Sequence, residues 1–274
     1  MPRTPKVARP FLQGPRPLAF AHRGGALLWP ENTLPAYRNA VDLGYRYIET
    51  DLHMTRDGVI VTLHDDTLER TTNGRGPVWE LTLAELKSLD AGYRFSRDGE
   101  TFPYRGQGVT VPTLAELFEL VPDLKANVEV KQETPPMVRA LWELIEEQGL
   151  HDRILVASFR DAVVREFRRL SGGHVATSAA TREALRFWLA SRLGLERLLQ
   201  IEYDALQVPV RYGRLTVVDR RFVAAAHHRG LQVHVWTVDE PAEMRRLLDL
   251  GVDGLMSDRP DLLKDVLVER GAWD

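Results

Sequence analysis

Short, β-rich apolar runs alternate with longer runs of helical period from about residue 18 to the end of the chain, the signature of βα units around a parallel sheet. Strands are predicted at Leu18–Ala21, Tyr47–Leu52, Val59–Leu63, Asn127–Lys131, Ile154–Ser158, Val175–Ser178, Ala205–Pro209, Val233–Val238 and Gly254–Ser257. Helices are predicted to start near Thr33, Thr113, Pro135, Asp161, Arg182, Val218, Pro241 and Pro260, with Thr33 and Thr113 as caps and the last two prolines in a first turn. The odd strand is the third. Only a tight Thr55-Arg56-Asp57-Gly58 turn leads into it, whereas a parallel crossover needs about a dozen residues, so Val59–Leu63 is predicted to fold back as a hairpin.

Removing the hairpin leaves eight strands and eight helices in strict alternation, which predicts a closed TIM-type (β/α)₈ barrel rather than an open doubly wound sheet. Residues 53–112 then form a small insertion between the second strand and second helix, Gly-rich and polar apart from a short helix at Leu83–Leu89, and suited to be a lid or wall. The 274 residues fit one such barrel, residues 18–274, preceded by a flexible N-terminal arm, residues 1–17.

Composition narrows the chemistry. With no cysteine, thiolate metal sites, disulfides and cysteine nucleophiles are excluded, so any metal is held by oxygen or imidazole. A net charge of −3 gives no overall basic field for nucleic acid or an anionic membrane. No run approaches the roughly 18 apolar residues of a membrane span, so stable membrane insertion is not expected. The basic, Pro-rich start lacks the apolar stretch of a signal peptide, and the chain is read as cytoplasmic, with no oligomeric state specified.

In a barrel the reacting groups stand where strands end. The first strand ends in His22-Arg23-Gly24-Gly25, the second carries Glu49 and Asp51, and the third carries Glu129 and Lys131. Residues two apart on a strand share a face, so Glu49 and Asp51 point inward together, with Glu129 next door. Three carboxylates in one mouth repel and lose hydration unless neutralised; a hard divalent cation, Mg²⁺ or Ca²⁺, resolves this, with ion pairs to Arg23 and Lys131 as the metal-free alternative. The hairpin returns His64 towards His22, giving two imidazoles able to act as acid and base near neutral pH. Arg23 and Lys131 suit phosphate oxygens, and Trp236 either packs in the core or walls the substrate.

His22-Arg23-Gly24, Pro30-Glu31-Asn32-Thr33, Glu49-x-Asp51, His64-Asp65, Thr71-Thr72-x-Gly74-x-Gly76, Glu129-Val130-Lys131, Trp236-Thr237 and Gly251-Val252-Asp253-Gly254-Leu255-Met256-Ser257-Asp258-x-Pro260 resemble, in order and spacing, the glycerophosphodiester phosphodiesterases. The resemblance runs from about residue 18 to 265. It implies a barrel with an insertion after the second strand, a divalent metal on Glu49, Asp51 and Glu129, an acid/base pair in His22 and His64, and a phosphate held by Arg23 and Lys131. Glu31 and Asn32 match a loop-organising pair that supports these groups.

The activity so implied is metal-dependent hydrolysis of small-molecule glycerophosphodiesters to sn-glycerol 3-phosphate and an alcohol. Two alternatives use the same barrel. A lysophospholipase D needs an apolar groove beside the mouth, for which Leu27, Leu28 and Trp29 are the available residues. A non-catalytic phosphodiester-binding barrel would be expected to lack a histidine or a metal ligand, yet all are present. An aldolase or isomerase barrel would show a Schiff-base lysine or lone acid in place of three clustered carboxylates.

Overall fold

The computed structural model describes residues 9–121 and 123–273. Among these, eight parallel strands form the ring: β1 Leu18–His22, β2 Tyr47–Met54, β3 Lys125–Val130, β4 Ile154–Ala157, β5 Ala176–Thr177, β6 Ala205–Pro209, β7 Gln232–Trp236 and β8 Gly254–Ser257. Each pairs with its neighbours in chain order, and β8 returns to β1 with Leu18 opposite Gly254. Closure between β5 and β6 is slight. A single bridge, Ser178 to Ala205, is backed by Asp204 N→Thr177 O at 2.8 Å and Ala179 N→Ala205 O at 2.9 Å.

The helices follow the strands as predicted: α1 Leu34–Asp42, α2 Leu114–Leu120, α3 Val138–Glu147, α4 Asp161–Leu170, α5 Thr181–Leu193, α6 Arg220–His228, α7 Pro241–Asp249 and α8 Pro260–Glu269. Thr33 and Thr113 cap α1 and α2, the latter in a reciprocal capping box with Glu116. A large core lies between the ring and the helices, and a smaller one, built on Phe20, Tyr47, Leu155 and Met256, fills the barrel itself.

Ile60–Thr62 pairs antiparallel with β2, Leu52 opposite Thr62, as the tight turn requires. Gly58, at φ 85°, takes a conformation that a side chain would disfavour. The rest of the insertion closes over its own cluster of Val61, Leu68, Val78, Leu86 and Val111, with the short helix at Leu83–Lys87.

The N-terminal arm departs from expectation. Among residues 9–17, Phe11 and Leu12 are buried and anchor the segment, whereas residues 1–8 lie outside the described residues. Phe11 is fully buried against Phe20 and edge-on to Tyr47, and Lys125 Nζ and Gln232 Nε2 bond to the carbonyls of Pro10 and Leu12. The physical reason is the open N-terminal end of the barrel, where the interior apolar layer needs a plug. Phe11 and Leu12 supply it, and burying a Phe is worth about 2–3 kcal/mol.

Candidate active site

Immediately after β1 the chain turns sharply. Arg23 (φ 52°) and Asn32 (φ 55°) both occupy the left-handed region, uncommon for a non-glycine residue and typical of constrained sites. Between them Gly24, at φ 81°, is held where a Cβ would lie 2.8 Å from that of Ala36. The turn brings Arg23 N to Glu49 O at 2.9 Å and to Glu49 Oε2 at 3.3 Å. Buried Asn32 donates from Nδ2 to Asp51 Oδ2 (3.0 Å), while its Oδ1 accepts from Thr50 and Tyr37 hydroxyls. Glu31 bridges two guanidiniums, Arg23 at 3.1 Å and Arg70 at 2.7 Å.

Glu49 and Asp51 do point inward, and the β2–β3 register sets Asp51 opposite Glu129. Each of the three offers an oxygen, and these oxygens lie within 4.8 Å of one another. Lys131 Nζ stands 3.2 Å from Asp51 Oδ1 and 3.1 Å from Glu129 Oε1; Arg23 Nε stands 3.1 Å from Asp51 Oδ2. Both cations are therefore ion-paired here, yet neither satisfies the site. Asp51 Oδ1 and Arg23 Nε are buried without a hydrogen bond, the charges being close but misaligned.

Burial and the neighbouring Asp51 push Glu49 up to about 8, despite His22. Burial also raises Glu129 in spite of Lys131, whereas Lys131 and Arg23 overcome burial at Asp51 and hold it below the usual carboxylate range. The cluster is thus short of positive charge. Its candidate ligand atoms are all oxygen, and Asp51 Oδ1, though 3.2 Å from Lys131, makes no hydrogen bond, which fits a hard divalent cation.

Each histidine has a carboxylate on Nδ1. His22 Nδ1 is 2.6 Å from Asp258, and its Nε2 is 3.6 Å from Glu49. Burial disfavours the imidazolium, but Glu49 and Asp258 outweigh it and lift His22 from 6.5 to about 9. His64, on the returning hairpin, has Nδ1 2.6 Å from Asp65, itself gripped by Arg70 at 2.6 Å. There burial prevails over Asp51 and Asp65, and His64 falls below its ordinary value.

Both histidines line one cavity with Arg23, Lys131 and Trp236. The indole of Trp236 meets Phe159 edge-on at 5.5 Å, forming an aromatic wall that stands next to Lys131, whose Nζ is 5.7 Å from the Phe159 ring centre. Arg70 and Phe159 were missed as site residues, and Asp65 and Asp258 were noted only as members of motifs, without a role. Asp258 had a usable signal, since it directly follows β8, at a strand tip like the others; Arg70 and Phe159 had none locally. Leu27 is exposed and lines, with Pro30, Ala91 and Phe95, a second cavity whose wall also carries Arg70, Arg94 and Arg97, so the surface beside the mouth is mixed in character.

Comparison with known proteins gives a consistent result. The model of the glycerophosphoryl diester phosphodiesterase family matches residues 22–262. A probable glycerophosphodiester phosphodiesterase 2 of Mycobacterium tuberculosis is 38% identical, covering 96% of each chain. A glycerophosphodiester phosphodiesterase of Caldanaerobacter subterraneus subsp. tengcongensis is 33% identical over 93% of this chain and 98% of its own. An Oleispira antarctica phosphodiesterase, solved in complex with the product sn-glycerol-3-phosphate, superposes with a TM-score of 0.75 at 26% identity, covering 92% of this chain and 97% of its own.

Proposed function

Because this chain belongs to the glycerophosphoryl diester phosphodiesterase family, we propose that it hydrolyses glycerophosphodiesters such as glycerophosphocholine and glycerophosphoethanolamine to sn-glycerol 3-phosphate and the free alcohol. One observation carries the residue assignment: three carboxylates, each offering an oxygen within 4.8 Å of the others, two of them lining a cavity that two carboxylate-bonded histidines also line.

Glu49, Asp51 and Glu129 would hold a divalent cation, Mg²⁺ or Ca²⁺, which when bound neutralises charge on the phosphodiester. Arg23 and Lys131 line the same cavity and would bind phosphate oxygens. Asn32 keeps Asp51 in orientation and Glu31 keeps Arg23 in place. Trp236 and Phe159 exclude water from one side and pack against the glycerol carbons.

The two imidazoles divide the proton work. Asp258 favours the imidazolium of His22 whatever neutralises Glu49, so His22 Nε2 protonates the leaving alcohol oxygen. His64, kept neutral by burial and oriented by Asp65, takes the proton from the attacking oxygen. The reading is tested by glycerol 3-phosphate release from glycerophosphocholine, with and without EDTA, for wild type, His22→Ala and His64→Ala. Full activity in EDTA would remove the metal, and full activity in both variants would remove the proton relay. A panel including lysophospholipids tests the substrate class.

A further inference from the structure

Overall charge conceals a local contrast on the flank of the barrel. Among the described residues, most of the exposed large apolar side chains belong to one stretch of chain: Leu185, Leu189 and Leu193 on α5, Leu195 and Leu198 just beyond it, and Tyr212 and Leu215 on a small hairpin after β6, with Leu27, Phe159 and Val268 elsewhere. The three α5 leucines are four residues apart and so form one stripe. Trp188 Nε1 and Arg192 Nη2 both bond to Thr216 O at 3.3 Å, fastening the hairpin along the edge of that stripe. The exposed hairpin residues are thereby held next to the helix that carries the stripe.

Its border is basic. Arg182 and Arg186 flank the stripe on α5, Arg197 follows the helix and Arg214 tips the hairpin, all exposed. Among the described residues none of these four guanidiniums is paired with a carboxylate, although the backbone N–H of Arg182 donates to Asp161; nearby Arg168 and Arg192 are paired with Glu183 and Asp219. Soluble surfaces rarely leave so many large aliphatics together, and a patch of this kind marks an interaction site.

We propose that this face docks the protein on an anionic lipid surface. Leucines and a tyrosine entering the headgroup boundary, with unpaired guanidiniums at the same level, are the combination that an interfacial helix uses. A second copy of the chain fits less well. A twofold contact through this patch would set arginine border against arginine border, with like charges facing across a shared apolar core. Docking of this sort needs no membrane-spanning helix, and none of the described helices is long and apolar enough to be one. The N-terminus of α5 follows Ser178 and Ala179, which line the catalytic cavity, so a docked molecule would hold its mouth beside the lipid. Removal of acyl chains from phospholipids generates glycerophosphodiesters at such a surface.

Vesicle co-sedimentation tests the proposal, in EDTA to exclude metal bridging. Wild type is expected to pellet with vesicles of equal phosphatidylglycerol and phosphatidylcholine. Binding should fall at least tenfold on pure phosphatidylcholine or in 0.5 M NaCl. An arginine near such a surface is worth about fivefold in partitioning, so Arg182→Glu with Arg186→Glu should reduce binding more than tenfold. Leu189→Ser with Leu193→Ser should do the same. Both double variants should retain glycerophosphocholine hydrolysis and melting temperature, which separates loss of docking from misfolding and from any failure of the hydrolase assignment. Wild type remaining in the supernatant, or variants that pellet equally, would overturn it. So would a wild-type dimer in sedimentation velocity that the leucine variant makes monomeric, assigning the face to a second copy.

Discussion

The two ends of the barrel are built on opposite terms. At the floor Phe11, Phe20 and Tyr47 pack edge and face, and buried His234 is satisfied by Gln232 and Gln207. At the mouth, buried polar atoms of Asp51 and Arg23 have no hydrogen bond, and Glu49 is held well above its ordinary titration range. The floor spends its side chains on stability and the mouth spends stability on readiness for a ligand, so substitutions at the two ends should fail in different assays.

The largest effect expected on this contrast is at Glu49. Glu49→Gln should lower kcat/KM at least a thousandfold, and melting in EDTA at pH 7 should stay within about 2 °C of wild type or rise. The sign follows from the raised carboxyl. Its folded-state preference for the proton is fully stabilising below about 4.5 and is lost as pH rises through about 8, so the amide removes a penalty that grows across that window. A drop of more than 5 °C would dissolve the distinction between the ends. In parallel melts without EDTA, Mg²⁺ or Ca²⁺ at about a hundred times its dissociation constant should stabilise wild type by about 2.7 kcal/mol and leave Glu49→Gln unmoved.

Phe11→Ala should behave inversely, destabilising by about 3–5 kcal/mol, or roughly 10 °C, with kcat/KM at 25 °C within twofold. Thermal melts paired with kinetics read both.

His234 sharpens the floor side through pH. Burial lowers it from 6.5 to about 4, so the folded state keeps it neutral while the unfolded chain binds a proton. Stability is present above 6.5 and lost as pH falls towards 4, by on the order of 3 kcal/mol at most. Denaturant titrations between pH 7 and 4 should show this decline, and His234→Gln should flatten it.

The smallest effect lies at the mouth. Asp258→Asn removes a partner that favours the His22 imidazolium, so kcat should fall about tenfold and the alkaline limb of its pH profile should move to lower pH. An unshifted limb would detach Asp258 from the proton transfer.

Much of this was legible locally. The βα period, the tight turn at residues 55–58 and the polar strand tips required no tertiary information, and they located the hairpin, the insertion and the carboxylates of Glu49, Asp51 and Glu129. Phe11 was misjudged because two apolar residues in a Pro-rich basic stretch have no period, and the end of the barrel that they plug exists only once the ring has formed.

What the sequence determined by itself is whatever depends on spacing along the chain: which segments are strands, which side chains share a face, and which acids reach the mouth together. Only the tertiary structure decided which groups set the charge on each imidazole. Asp258 lies 236 residues from His22 and meets it because ring closure sets β8 beside β1. Burial, which pushes His64 and Glu49 off their ordinary values, is likewise a property of the assembled barrel and is carried by no residue alone.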